Sequence, residues 1–168
     1  MKKLTLMKAL FAEVSQTERS AIKHPTVEAR RLGPGPPATA LLAVASHAAR
    51  AEPSLKALAE ARGATRSKVG TIVGNFFSIG RNRFADFMLT TEQSYRGTLL
   101  GMRHGYDVVG LFRLAALADG DLEVAAWCDP WLAEREPLIR AVAEQLRWFA
   151  AHQARALKSA KLGARAGA

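Results

Sequence analysis

The sequence predicts an all-α protein, an antiparallel four-helix bundle with an extra N-terminal helix. Three observations carry this. Alanine is abundant and β-branched residues are few, a balance that favours helix. Apolar residues recur every three or four positions over long stretches, and no stretch alternates in the manner of a strand. Hydrophobic residues make up 49% and charged residues 23% of the 168, which is the balance of a folded chain of one domain.

The elements follow in chain order. Leu6, Leu10 and Val14 mark an amphipathic helix over 4–21, so residues 1–23 read as an N-terminal helical arm. The stretch "HPTVEARRLGPGPPAT" holds four prolines and two glycines, and 24–38 reads as a Pro/Gly-rich linker. The bundle then occupies 39–157. Its first helix, about 39–61, shows Leu41, Val44, Ala48, Ala51, Leu55 and Leu58 on one face, with a kink or restart expected at Pro53 and an end at Gly63. The second, about 65–88, is apolar nearly all round, so it is central or covered by another subunit. The third, about 91–118, opens with a capping-box pattern, Thr90 with Gln93. One uninterrupted helix over 65–118 is the alternative. "ADGD" at 118–121 closes the third helix and caps the fourth, about 121–157. There Leu138, Val142, Leu146 and Phe149 form an inner stripe, and Glu136, Arg140 and Glu144 an outer charged ladder. A basic tail, 158–168, is expected to be disordered.

The net charge of +9 invites a nucleic-acid reading. Its distribution places the excess at the two ends. Residues 1–37 carry seven Lys/Arg against three acids, and 155–168 carry four bases and no acid. Segment 62–103, rich in bases, and segment 119–144, rich in acids, are expected to pair inside the fold. The basic start has no apolar run of signal-peptide length, because Lys8 interrupts it. No apolar run approaches the ~20 residues of a transmembrane helix. The single cysteine, Cys128, forms no internal disulfide and reads as a small core residue in a reducing, cytoplasmic protein.

Gly97, Gly101 and Gly105 recur at every fourth position of a helix, each at a cost of about 1 kcal/mol relative to alanine. Gly70, Gly74 and Ser78 repeat the spacing on the preceding helix. An antiparallel hairpin turning near 89–90 would set Gly74 against Gly105 and Ser78 against Gly101, so that two backbones approach closely. A homodimer contact along the same stripe and room for a ligand are the alternatives.

The polar candidates are few. His104 borders the interior face of its helix and reads as a core histidine or a metal ligand. Asp107 follows one turn later and either shares that ligand role or pairs with Arg103. Glu52 points toward the apolar face of its helix, where a carboxylate must be paired, protonated or metal-bound. Glu134 and Glu136 read as surface partners of Arg135 and Arg140. His24, His47 and His152 fall on outward or linker positions, and Trp127 and Trp131 read as core or interface anchors. No Walker loop, dinucleotide fingerprint, zinc-protease motif or nucleophile elbow occurs.

The segment "YRGTLLGMRHGYDVVGLFRLAALADGDLEVAAWCDPWLAEREPLI" resembles the latter half of a ferritin-like four-helix bundle: a long third helix, a short Gly-Asp turn and a charged fourth helix. The resemblance implies that architecture and, in its family, two iron or manganese ions held by Glu and Glu-x-x-His. This chain has no Glu-x-x-His; the third helix offers His104-x-x-Asp107 in the reverse order.

The expected function is therefore that of a non-catalytic, cytoplasmic bundle acting through self-association as a homo-oligomer or through a protein partner. The alternatives are a divergent ferritin-like protein binding iron, manganese or zinc through His104, Glu52 and Asp107, and electrostatic binding of nucleic acid through the basic ends. No membrane partner is expected.

Overall fold

The structure, a computed structural model, describes residues 5–64 and 89–160. Four long helices make the bundle: α1 (Leu6–Leu32), α2 (Pro36–Ala61), α3 (Thr91–Ala118) and α4 (Leu122–Glu144). Two short ones, α5 (Leu146–Ala151) and α6 (Gln153–Ala156), follow. The second apolar helix read from the sequence, with Gly70, Gly74 and Ser78, lies outside the described residues, as do residues 161–168.

The first finding is a correction. The stretch read as a linker is mostly helix: α1 runs on to Leu32 and α2 begins at Pro36. Pro25 sits inside α1, where it removes one backbone donor, and it is buried. Pro36 and Pro37 open α2, where a first-turn N–H has no intrahelical partner to lose. Only Gly33–Gly35 turns the chain, with φ of 72° and 153° at the two glycines, a backbone region that side chains rarely adopt. The N-terminal segment is thus one of the four bundle helices. Nor does Pro53 break α2, and α4 passes through Pro130 and Pro137 to end at Glu144, short of the 157 expected.

Other boundaries follow the local chemistry. The capping box of α3 is formed: Gln93 N–H donates to Thr90 Oγ1 at 3.4 Å, and Thr90 N–H donates to Gln93 Oε1 at 2.9 Å. After Gly120, φ 73°, the Asp121 side chain accepts from Val124 N–H and caps α4. The tail is ordered further than expected. Thr91 N–H donates to Lys158 O at 2.8 Å and Ala160 N–H to Leu89 O at 3.0 Å. Arg155 donates to Leu32 O at 2.8 Å and lies over the Trp148 ring, which fastens α6 to the end of α1.

The core falls into two apolar clusters, one at each end. Leu10, Phe11 and Val14 of α1 meet Leu55 and Leu58 of α2, Val109 and Phe112 of α3, and Val124 and Trp131 of α4. At the other end Leu32, Leu41, Val44, Tyr95, Leu99 and Val142 meet. Following each chain segment between the clusters gives the topology. α1 and α2 run oppositely, α3 runs with α2, and α4 runs back. α1 packs on α2 and α3, and α4 on α3 and α2. α2 thus ends at one end of the bundle and α3 starts at the other.

The three glycines of α3 do not all face α1. Each fourfold step on a 3.6-residue helix rotates 40°, so two steps separate Gly97 from Gly105 by about 80°. Gly105 is buried, and a Cβ there would stand 3.4 Å from Thr17 of α1. Gly97 and Gly101 have nothing within 4 Å of such an atom among the described residues. Gly105 therefore lets α1 approach α3, while the other two turn outward. Gly101→Ala should raise stability by up to about 1 kcal/mol through helix propensity, whereas Gly105→Leu should lower it by about 1–3 kcal/mol through overpacking against Thr17; urea midpoints of the two variants check both directions.

Candidate functional site

Between the two apolar clusters lies a polar layer. Arg135 of α4 is 1% exposed, as is Glu18 of α1. Its Nη2 donates to Glu18 Oε1 at 3.1 Å and Oε2 at 2.8 Å, and its Nε donates to His47 Nδ1 at 2.9 Å. Trp131 Nε1 donates to Glu18 Oε2 at 3.1 Å, and the guanidinium sits 4.4 Å from the centre of the Trp131 ring. Taking two charges out of water costs several kcal/mol each, and only dense hydrogen bonding offsets that. Glu18 accepts three hydrogen bonds from two donor nitrogens, and burial nevertheless raises its pKa while Arg135 opposes the rise.

The layer corrects the sequence reading twice. His47, expected outward, is buried, and Arg135, expected on the surface, is among the largest fully buried side chains. One signal was available: His47 lies on the face of Val44, Ala48 and Ala51. For Arg135, spacing gave no signal, because its partner Glu18 lies 117 residues away. Cys128 is the small core residue expected, and burial pushes its thiol up to about 12. Trp131 anchors the core as expected, and Trp127 Nε1 donates to Ser54.

His47 is held neutral. Since Nδ1 accepts from Arg135, its proton sits on Nε2, 3.5 Å from the Glu134 carboxylate, which also faces Arg50. Burial and the adjacent guanidinium lower its pKa from 6.5 to about 4. Between those values the unfolded chain takes up a proton that the folded one refuses. Stability is therefore present above pH 6.5 and is lost as pH falls toward 4, by up to about 3 kcal/mol. Urea midpoints across that window should fall steeply for the natural chain and less for His47→Gln, whose amide oxygen still accepts from Arg135. Arg135→Met strands the Glu18 carboxylate and should cost about 3–5 kcal/mol by the same assay.

The residues singled out for metal do not converge. His104 is half-buried, with Nε2 at 3.3 Å from Glu13 Oε1. Asp107 is exposed. Glu52 is half-buried on α2, where its charge acts on Glu18. Among the described residues no group of three or more His, Cys, Asp or Glu is placed to hold a metal, and no helix is long and apolar enough to cross a membrane. Two predicted surface pairings are present: Arg62 of segment 62–103 donates to Asp121 at 2.7 Å and to Glu123 at 2.9 Å of the acidic segment, and Glu136 meets Arg140 at 3.7 Å.

A second feature lies on the outward face of α3. Leu100 is 63% and Leu114 60% exposed, with Leu111 and Leu117 on the same helix and Leu122 just beyond it also exposed. Positions 93, 97, 100, 104, 107, 111, 114 and 118 alternate in spacing between four and three. That is the 3.5-residue period of a coiled-coil seam. Beside Gly97 a groove of about 400 Å³ opens, lined by Leu100, Arg103 and Leu146 among others. Spacing alone does not mark these leucines, because their exposure depends on which face the other helices take.

Comparison with known proteins yields no match of any kind: no family model, no curated protein and no solved structure matches this chain.

Proposed function

We propose that this chain is a non-catalytic helical-bundle protein that acts through self-association, with the outward face of α3 as its contact surface. The observation that carries the reading is the exposed leucine seam. Exposed apolar residues grouped on one helix face mark interaction sites, and here Leu111 and Leu114 sit one turn apart, with Leu100 beyond the polar positions His104 and Asp107. The described helices give α3 its inner contacts through α1 and α4 and leave this outer face open. The seam's 3.5-residue period suits a partner helix of the same period, and α3 of a second copy supplies one. Charge supports a copy over an unrelated helix, because Asp107 lies one turn from Arg103, both exposed, so the face carries both signs.

The ferritin-like outline finds support in the topology, two antiparallel pairs joined by a long crossover, which is one of the arrangements open to four-helix bundles. Its metal chemistry finds less. A guanidinium fills the mid-bundle layer and occupies both oxygens of Glu18, and the described residues bring no ligand set together.

Sedimentation equilibrium at tens of micromolar protein tests the reading. The natural chain should show a concentration-dependent mass above the monomer. Leu111→Glu, at an exposed position, should shift the mass to monomer while circular dichroism stays unchanged. A natural chain that remains monomeric under these conditions contradicts the proposal.

A further inference from the structure

The geometry points to an antiparallel homodimer in which α3 of each copy lies along α3 of the other, in a register where facing residues sum to 211. This inference rests on the self-association reading and deepens it by naming the contact. A two-fold dimer requires that the surface be complementary to itself, so that if one residue meets a second, the second meets the first. Every two-fold register of α3 meets that condition, so the registers differ only in the chemistry of the residues they bring face to face.

In the antiparallel register, Leu100 faces the partner's Leu111, and Leu111 faces the partner's Leu100. One layer further out on each side, Leu114 faces the partner's Gly97. Gly97 carries no side chain and borders the groove between α3 and Leu146, and its missing Cβ leaves open space among the described residues. An exposed leucine thus meets a gap. At the centre, His104 faces the partner's Asp107, with Arg103 one position from that contact. The same carboxylate is exposed within one copy, while His104 is already held against Glu13 at 3.3 Å. The partner's Asp107 thus lies near the two-fold axis within reach of the exposed Arg103, flanked by leucine layers and closed by glycine–leucine layers.

The parallel register pairs each seam leucine with its own copy, but its polar centre and its glycine end are unfavourable. It sets Asp107 against the partner's Asp107, Gly97 against Gly97, and Leu114 against Leu114. Like charges meet at the centre and two glycines leave a void at one end. A central polar pair that is satisfied in one alignment alone is the device by which coiled coils fix orientation and register. Eighteen residues from Gly97 to Leu114 span about 27 Å of helix. A contact of this length lies at the small end of stable interfaces, so the dimer is expected to be concentration-dependent.

The test uses full-length chains carrying a single substitution each. Gly97→Cys chains are mixed with Leu114→Cys chains at tens of micromolar and oxidised mildly. The natural Cys128 is 0% exposed and serves as the unreactive background. Intact mass of the non-reduced dimer distinguishes the products. The expected result is a mixed disulfide joining one chain of each kind, in at least about tenfold excess over the two like-with-like products, and its loss when Asp107→Lys is added to both chains. Like-with-like disulfides, or a dimer by sedimentation that forms no 97–114 link, overturn this register but leave self-association standing. A monomer at every concentration overturns both. A variant chain whose cysteine becomes inaccessible to a thiol reagent while the protein stays monomeric assigns the face to residues 65–88 of the same chain, and also overturns both.

Discussion

At the middle of the bundle one guanidinium joins three helices. Arg135 comes from α4, the carboxylate it grips from α1, and the imidazole it donates to from α2. The two clusters on either side are mainly aliphatic and aromatic, and apart from the Tyr95 hydroxyl, which donates to Val142 O at 2.9 Å, their contacts are non-directional. The polar layer prefers one axial alignment. A slip of α4 by one turn would carry Arg135 about 5.4 Å from Glu18 and leave two uncompensated charges in a dry core. The layer thus acts as a register pin, and its cost in desolvation is offset only when all three partners are in place.

That alignment determines what the outer surface presents. With α1 and α4 held against its inner side, α3 turns Gly105 toward Thr17 and Leu100, Leu111 and Leu114 away from the core. The outward seam is thus a consequence of the inner packing. The two features are also chemically opposed. The core carries a buried ion pair where an apolar pair would be expected, and the surface carries leucines where charges would be expected. Each inversion asks for a partner, one found within the chain and the other proposed in a second copy.

Much of the fold was legible in the sequence, and the rest failed for identifiable reasons. Local signals worked where the physics is local. The Thr90–Gln93 box and the Gly120–Asp121 turn involve residues within four positions of one another, and both ends of α3 fall where they put them. The linker reading failed because proline acts by position. Pro36 and Pro37 lie where a helix needs no donor, and Pro25 is carried by a helix long and well packed enough to absorb one lost bond. The polar layer was illegible in a different way. Arg135 has charged neighbours in sequence, Glu134 and Glu136, that offer a plausible surface pairing. Only the arrival of Glu18 from the far end of the chain makes burial tolerable. Gly97, Gly101 and Gly105 lie in a helix as the spacing predicts, but the 40° rotation per fourfold step turns only Gly105 toward α1.

The most direct test of the pinning layer is the protonation state of His47, read by nitrogen-15 NMR on selectively labelled histidine. The geometry requires that Nδ1 accept from Arg135 and that the proton reside on Nε2. The spectrum should show the Nε2–H tautomer, unchanged on acidification until about pH 4. An Nδ1–H tautomer, or a titration at the ordinary value near 6.5, would mean that Arg135 does not hold His47 and that the bundle is aligned by something else.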